Sequence, residues 1–206
     1  MNTLKIAAAL TAFALTPVAA HAADLMVQPK PMAVAATAAA TNWDGPYIGA
    51  HLGYGWGTAT ATTASTSLTG FSAGGQAGYN FHLSDSIVAG IEGDASWNNE
   101  QGSFSGTTPM RINWDGSVRG RLGVDMGDIM PYATAGVAFA NATAGSVYTQ
   151  THTGWTVGAG VEFMMASNLS ANVEYRYSDY GTQTYAGSTP IALTDNSLRV
   201  GLNYHF

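Results

Sequence analysis

Cysteine is absent from the 206 residues, so neither a disulfide framework nor a thiolate metal site is available to this chain. Charge is scarce as well: Asp, Glu, Lys and Arg together make up 10% of the sequence, and the acidic residues outnumber the basic ones 13 to 7. That balance excludes the basic footprint that nucleic-acid binding needs. From Trp43 onward no apolar pattern of helical period runs for a useful length, which argues against a bundle or a coiled coil. Closely spaced histidines with neighbouring carboxylates are missing, so no metal cluster is expected. The run GGQAG at 74–78 is followed by no helical pattern, so it is not a phosphate-cradling loop. What the chain does have is glycine (25 residues), aromatics (11%) and a recurring period of two.

The first stretch, MNTLKIAAALTAFALTPVAAHA, carries Lys5, an apolar run from Ile6, and Ala20-His21-Ala22. It reads as a secretory signal cleaved after Ala22. The other reading is a membrane-spanning helix, but the run is shorter than the roughly 20 apolar residues a span requires, and Pro17 interrupts it. Domain organisation follows: signal peptide 1–22, a flexible, periplasmic Ala-, Pro- and Thr-rich N-terminal tail over 23–42, and one β-barrel domain over 43–206. Loss of Lys5 with the leader leaves six basic residues and a net charge of −7.

Alternation predicts strands near 47–57, 70–81, 87–97, 111–125, 131–140, 153–163, 168–178 and 197–206. The closing strand, SLRVGLNYHF, sets Leu198, Val200, Leu202, Tyr204 and Phe206 against Ser197, Arg199, Gly201, Asn203 and His205. The connections HLSDS, MGDIM and MMASN are short, whereas 58–69, 98–110, 141–152 and 179–196 are long and rich in Thr, Ser, Gly and Asn. Short turns on one side and long loops on the other describe a transmembrane barrel with periplasmic turns and extracellular loops. The expected fold is all-β: an eight-stranded antiparallel transmembrane β-barrel in the outer membrane of a Gram-negative bacterium.

A soluble barrel would turn the apolar face inward; three features favour the opposite. The charged residues of the strands sit on the polar face, and the apolar face carries none, as a lipid-facing surface demands. If β-strands alternate in direction from an outward-running first strand, aromatics fall at two heights. Trp56, Trp97, Trp114 and Trp155 mark the outer interface; Tyr79, Phe81, Phe163 and Tyr204 mark the inner one. The segments also match the roughly 9–11 residues of a tilted crossing. Pairing the last strand with the first would leave no unsatisfied backbone in lipid, so the chain can stop on Phe206.

The segments WDGPYIGAHLGYGWG, AGYNF, GIEGDASW, WDGSVRGRLGV, PYATAGVAF, GWTVGAGVEF, NVEYRYSDYG and RVGLNYHF resemble the small outer-membrane β-barrel proteins of alphaproteobacteria, the porin-family or surface-antigen type, related in architecture to the OmpA membrane domain. The resemblance spans 43–206. It implies eight strands, a structural and surface-exposed role, and a C-terminal aromatic, here Phe206, that belongs to the signal read by the outer-membrane assembly machinery. It implies no shared catalytic motif. Some members bind haemin, which makes haemin the one cofactor to consider; otherwise none is expected.

An eight-stranded barrel is just wide enough for side chains to fill, whereas open channels need about 16–18 strands. If Trp97 pairs with Trp114, Glu92 stands opposite Arg119, with Asp94 and Arg121 on the diagonals. The expectation is a lumen ion-pair network of Glu92, Asp94, Arg119 and Arg121. A narrow pore for small solutes is the alternative, kept open by inward glycines such as Gly53, Gly55 and Gly78 that would leave space. Catalysis is not expected: His152, Ser178, Asp179 and Asp195 are rim or loop residues with nothing to bring them into hydrogen-bond reach. For haemin, His82 and His152 are lone histidines. Host-surface contact would fall to the loops, whose 179–196 segment could close on itself through Tyr180, Tyr185, Ile191 and Leu193. Expected partners are therefore lipid and the assembly machinery, with no nucleic acid and an unidentified loop partner.

Overall fold

Period-two alternation runs further than the sequence segments suggest. The computed structural model describes residues 43–62, 64–104, 108–145, 148–185 and 189–206; the signal peptide and the tail lie outside the described residues. Eight strands follow in order: β1 (Gly45–Ala61), β2 (Ser65–Ser84), β3 (Ile87–Phe104), β4 (Thr108–Val124), β5 (Ile129–Ala144), β6 (Tyr148–Ala166), β7 (Leu169–Tyr185) and β8 (Thr189–His205). Each pairs antiparallel with its neighbour in the chain, and β8 returns to β1 to close the barrel. The closing ladder runs from Tyr47↔His205 to Ala61↔Ile191, and the Phe206 N–H donates to the Pro46 carbonyl at 3.1 Å. The last residue is thus tied into the wall.

The four long connections are not loops. The strands continue through the described residues of 58–69, 98–110, 141–152 and 179–196, to Ala61, Phe104, Ala144 and Tyr185 on one side and from Ser65, Thr108, Tyr148 and Thr189 on the other. Their Thr-rich composition looked loop-like, but Thr is β-branched and suits a pleated wall. Strands of 16 to 20 residues result, well beyond the roughly 9–11 needed to cross a bilayer. The surplus lies at the end away from the short turns.

Sidedness reverses along the strands. Below the tryptophans, Leu52, Ile91, Val118, Leu122, Val200 and Leu202 face outward and are exposed, while charged residues face inward and are buried. Above them, Ala59, Leu68, Met110, Ile112, Tyr180, Tyr185, Ile191 and Leu193 form a buried apolar core inside the barrel, and Thr58, Thr60, Ser65 and Ser67 face out. An ordinary water-facing barrel therefore stands on an inverted one. In β4 a bulge makes the switch: the register shifts between Ile112 and Trp114, so Ile112 turns inward instead of sharing the face of Trp114.

Candidate functional site: the lumen

The inward positions of β3 and β4 supply the first charges. Glu92 pairs directly with Arg119 in the ladder, as Trp97 does with Trp114. Arg119 bonds Glu92, and it also reaches Asp94 Oδ2 at 3.3 Å, Glu174 Oε1 at 2.7 Å and Thr134 Oγ1 at 3.0 Å. Asp94 takes two further guanidinium groups, Arg176 at 2.9 Å and Arg199 at 3.0 Å. Arg199 also holds Asp115 at 2.8 Å, and Arg176 holds Glu174 at 2.9 Å. All of these side chains are buried.

Arg121 does not join that group. It bonds Glu162 nearer the inner end, stacks 3.8 Å from the Tyr132 ring centroid and approaches the Tyr47 hydroxyl at 3.4 Å. That hydroxyl donates to Glu92 Oε2 at 2.6 Å and so links the two layers. Glu92, Asp94 and Arg119 are therefore together, with Arg121 one layer below. Cross-strand reasoning missed Glu162, Glu174, Arg176 and Arg199 as members, because they reach in from β6, β7 and β8, and it missed Asp115 of β4, whose partner Arg199 lies on β8. One signal was available: Glu174 lies directly opposite Arg199 in the β7–β8 ladder.

Inward glycines do not leave space. The Tyr47 ring lies where a Cβ on Gly78 would stand, the Tyr132 ring fills the same place at Gly160, and the Glu100 carboxylate occupies it at Gly55. Between His51, Glu92, Arg119, Tyr132, Glu174 and Arg199 the remaining cavity is about 10 Å³, which is about one water molecule.

Both ends of this polar chamber are capped. At the inner end Trp43 is fully buried with Val88 and Met130; its indole N–H donates to the Gly127 carbonyl at 3.0 Å, and its ring meets His205 edge-on. Beside it His82 bonds Asp44 at 2.7 Å and Asp125 at 3.1 Å; those hydrogen bonds raise its pKa, the Asp44 bond most. At the outer end the apolar core sits above a second acidic layer, where Glu100 and Asp195 are both buried. Burial, then the neighbouring carboxylates, raises both groups above the carboxylate range.

The rim residues considered for catalysis do not converge. His152 is buried in the outer core and bonds the Tyr185 hydroxyl at 2.9 Å; burial lowers its pKa. Ser178 bonds Thr156 at 2.9 Å, Asp179 accepts from the Gly181 N–H at 2.9 Å, and Asp195 lies with Glu100. Burial of His152 also keeps it from an external haemin. Among the described residues no group of three or more His, Asp and Glu side chains could hold a metal ion.

Outside, Trp56, Trp97, Trp114 and Trp155 are exposed at one level and Tyr79, Phe81, Phe163, Tyr204 and Phe206 at the other. The exposed apolar band between them is far too continuous for a wall bathed in water.

The model of the outer membrane protein beta-barrel domain matches residues 31–206. The 25 kDa outer-membrane immunogenic protein of Brucella abortus biovar 1 is 38% identical over 217 residues, covering 100% of both chains. The 22 kDa outer membrane protein of Rhizobium leguminosarum bv. viciae is 35% identical over 81% of this chain and 80% of its own. Neisserial surface protein A superposes with a TM-score of 0.57 at 20% identity, over 78% of this chain and 97% of that one, a likeness of fold.

Proposed function

Because this chain belongs to the outer-membrane protein β-barrel family, we propose that it serves as a closed, surface-exposed scaffold and not as a solute pore. It is an outer-membrane protein with a structural and surface-antigen role, like the Brucella relative whose name records an outer-membrane immunogenic protein. The family and these relatives are outer-membrane barrel proteins and not, in general, enzymes. One observation carries the closed state: at the charge network the lumen is cross-linked from wall to wall, and the cavity among those side chains has room for about one water. The role needs no cofactor and no catalytic group. Its partners are the surrounding lipid and, through the β8 strand ending in Phe206, the assembly machinery. Host-surface contact, if made, falls to the strand extensions above the tryptophans.

Planar-bilayer recording of the folded mature chain tests closure. No discrete conductance steps are expected at neutral pH, with folding verified by the different gel mobility of boiled and unboiled samples. Steps that change size in Arg119→Ala/Arg121→Ala would overturn the scaffold reading and make the charge network a constriction. Exposure is tested separately. The chain has no cysteine, so Ser67→Cys, on an outward position, should react with a membrane-impermeant maleimide on intact cells.

A further inference from the structure

Of the five arginines among the described residues, four point into the lumen and are buried; Arg111 is exposed on the outer wall. It stands on β4 between Gln101 of β3 and Thr143 of β5, and it forms no ion pair among the described residues. Three positions nearer the bilayer, Trp114 faces Trp97 across the ladder. With Ala95 these two rings line a groove of about 210 Å³. Trp97 is 78% exposed, more than any other large apolar side chain described. Register shifts fall on both strands at this height, between Trp97 and Glu100 and between Ile112 and Trp114, so the ladder is interrupted where the groove lies.

The groove is continuous with the apolar band of the outer wall, so its occupant comes from the membrane. An acyl chain alone would have no reason to prefer it to the rest of the band. The rim decides the chemistry. Arg111, with the exposed amides of Asn99 and Gln101 beside it, offers a cation and hydrogen bonds just above an apolar slot. Above Trp56 and Trp155 the outward positions are threonines, Thr58 and Thr153, so neither of those tryptophans has a cation over it. Arg111 is about 10 Å of extended strand from Trp114, and arginine lies along apolar surface to place its head group at the interface. A guanidinium favours phosphate, which it binds with two parallel hydrogen bonds.

We propose that the Ala95–Trp97–Trp114 groove and Arg111 form a seat for one molecule of lipid A, the acylated and phosphorylated lipid of the outer leaflet, with an acyl chain in the groove and a phosphate on Arg111. The seat is independent of whether the lumen conducts.

Native mass spectrometry of the chain refolded in detergent with added lipid A tests it. One lipid A per barrel should survive the activation that strips detergent. Arg111→Gln should lower the retained fraction about tenfold or more, the scale of losing a charged hydrogen bond, and Ala95→Leu should do so by filling the slot. Ala159→Leu, on the outer face of β6 away from the groove, should leave retention unchanged. Gel mobility before and after boiling confirms that each variant is folded. Equal retention by Arg111→Gln, equal retention of dephosphorylated lipid A, or equal retention of phosphatidylglycerol would each overturn the assignment.

Discussion

The Asp94 carboxylate of β3 and the Arg199 guanidinium of β8 meet at 3.0 Å, although β1 and β2 separate their strands in the wall. Asp94 also holds Arg119 and Arg176, so one carboxylate compensates three guanidinium groups away from water. Removing one partner of a buried pair costs about 3–5 kcal/mol, because the other charge is left uncompensated. Asp94→Ala should therefore lower barrel stability by at least that much, read as a shift in the urea midpoint of folding into vesicles. Ser117→Ala, which removes a neutral partner of Asp94, should cost about 1 kcal/mol.

A different pH response is expected above the tryptophans. Burial and the adjacent acids push Glu100 up to about 9, well above its unfolded value near 4.5. The folded state thus holds a proton that the unfolded chain releases. Its contribution to stability is complete below the unfolded pKa and declines as pH rises towards the folded one. Stability should fall between pH 5 and 9, as defined by those values, and Glu100→Gln should flatten the decline. A profile that is the same in wild type and variant would remove the Glu100 proton from the account.

At the inner mouth the key side chain is one the sequence marks only as the start of the domain. Trp43 is wholly buried and hydrogen-bonded to the β4–β5 turn. Trp43→Ala should cost about 3–5 kcal/mol. Trp43→Phe should cost less, since it keeps the packing against Val88 and Met130 and loses the indole N–H donor. Thermal loss of the unboiled gel band would rank the three chains.

How much of this is legible in the sequence depends on which neighbour matters. Period two, the charge-free apolar band below the tryptophans and the levels of Trp97 and Trp114 follow from residues adjacent along a strand or across one ladder. Glu92 opposite Arg119 is of that kind. Asp94 with Arg176 and Arg199 is not: it depends on barrel diameter, and on a guanidinium long enough to cross it. Arg121 follows the same logic, leaving its ladder neighbours for Glu162 on β6. The extracellular strands were hidden for another reason. Alternation of Ala with Thr, as in Thr58-Ala59-Thr60-Ala61, has little hydrophobic contrast, so the period is faint even though the alanines lead into a buried core. Bulges then reverse the phase at Ile112, which no uninterrupted alternation can foresee.

The reversal of sidedness places the bilayer edge, and that placement has a direct consequence for substitutions. Leu52 and Thr60 share the outward face of β1, and both are exposed. Leu52 lies in the apolar band below Trp56, where an arginine must either enter hydrocarbon or draw water to it. Near the midplane this costs about 2–4 kcal/mol. Thr60 lies above Trp56, with water outside and the apolar core of Ala59, Leu68 and Leu193 inside. An arginine there should change stability by no more than about 0.5 kcal/mol, as at ordinary exposed positions. Leu193→Arg should again be costly, since it forces a charge into the closed core, although by sequence it lies among Thr, Ala and Asp in what looks like a loop. Folding titrations of the three variants into vesicles thus report the order Leu193 and Leu52 costly, Thr60 near neutral. An arginine at Thr60 as costly as one at Leu52 would move the bilayer edge outward and submerge the extensions in lipid.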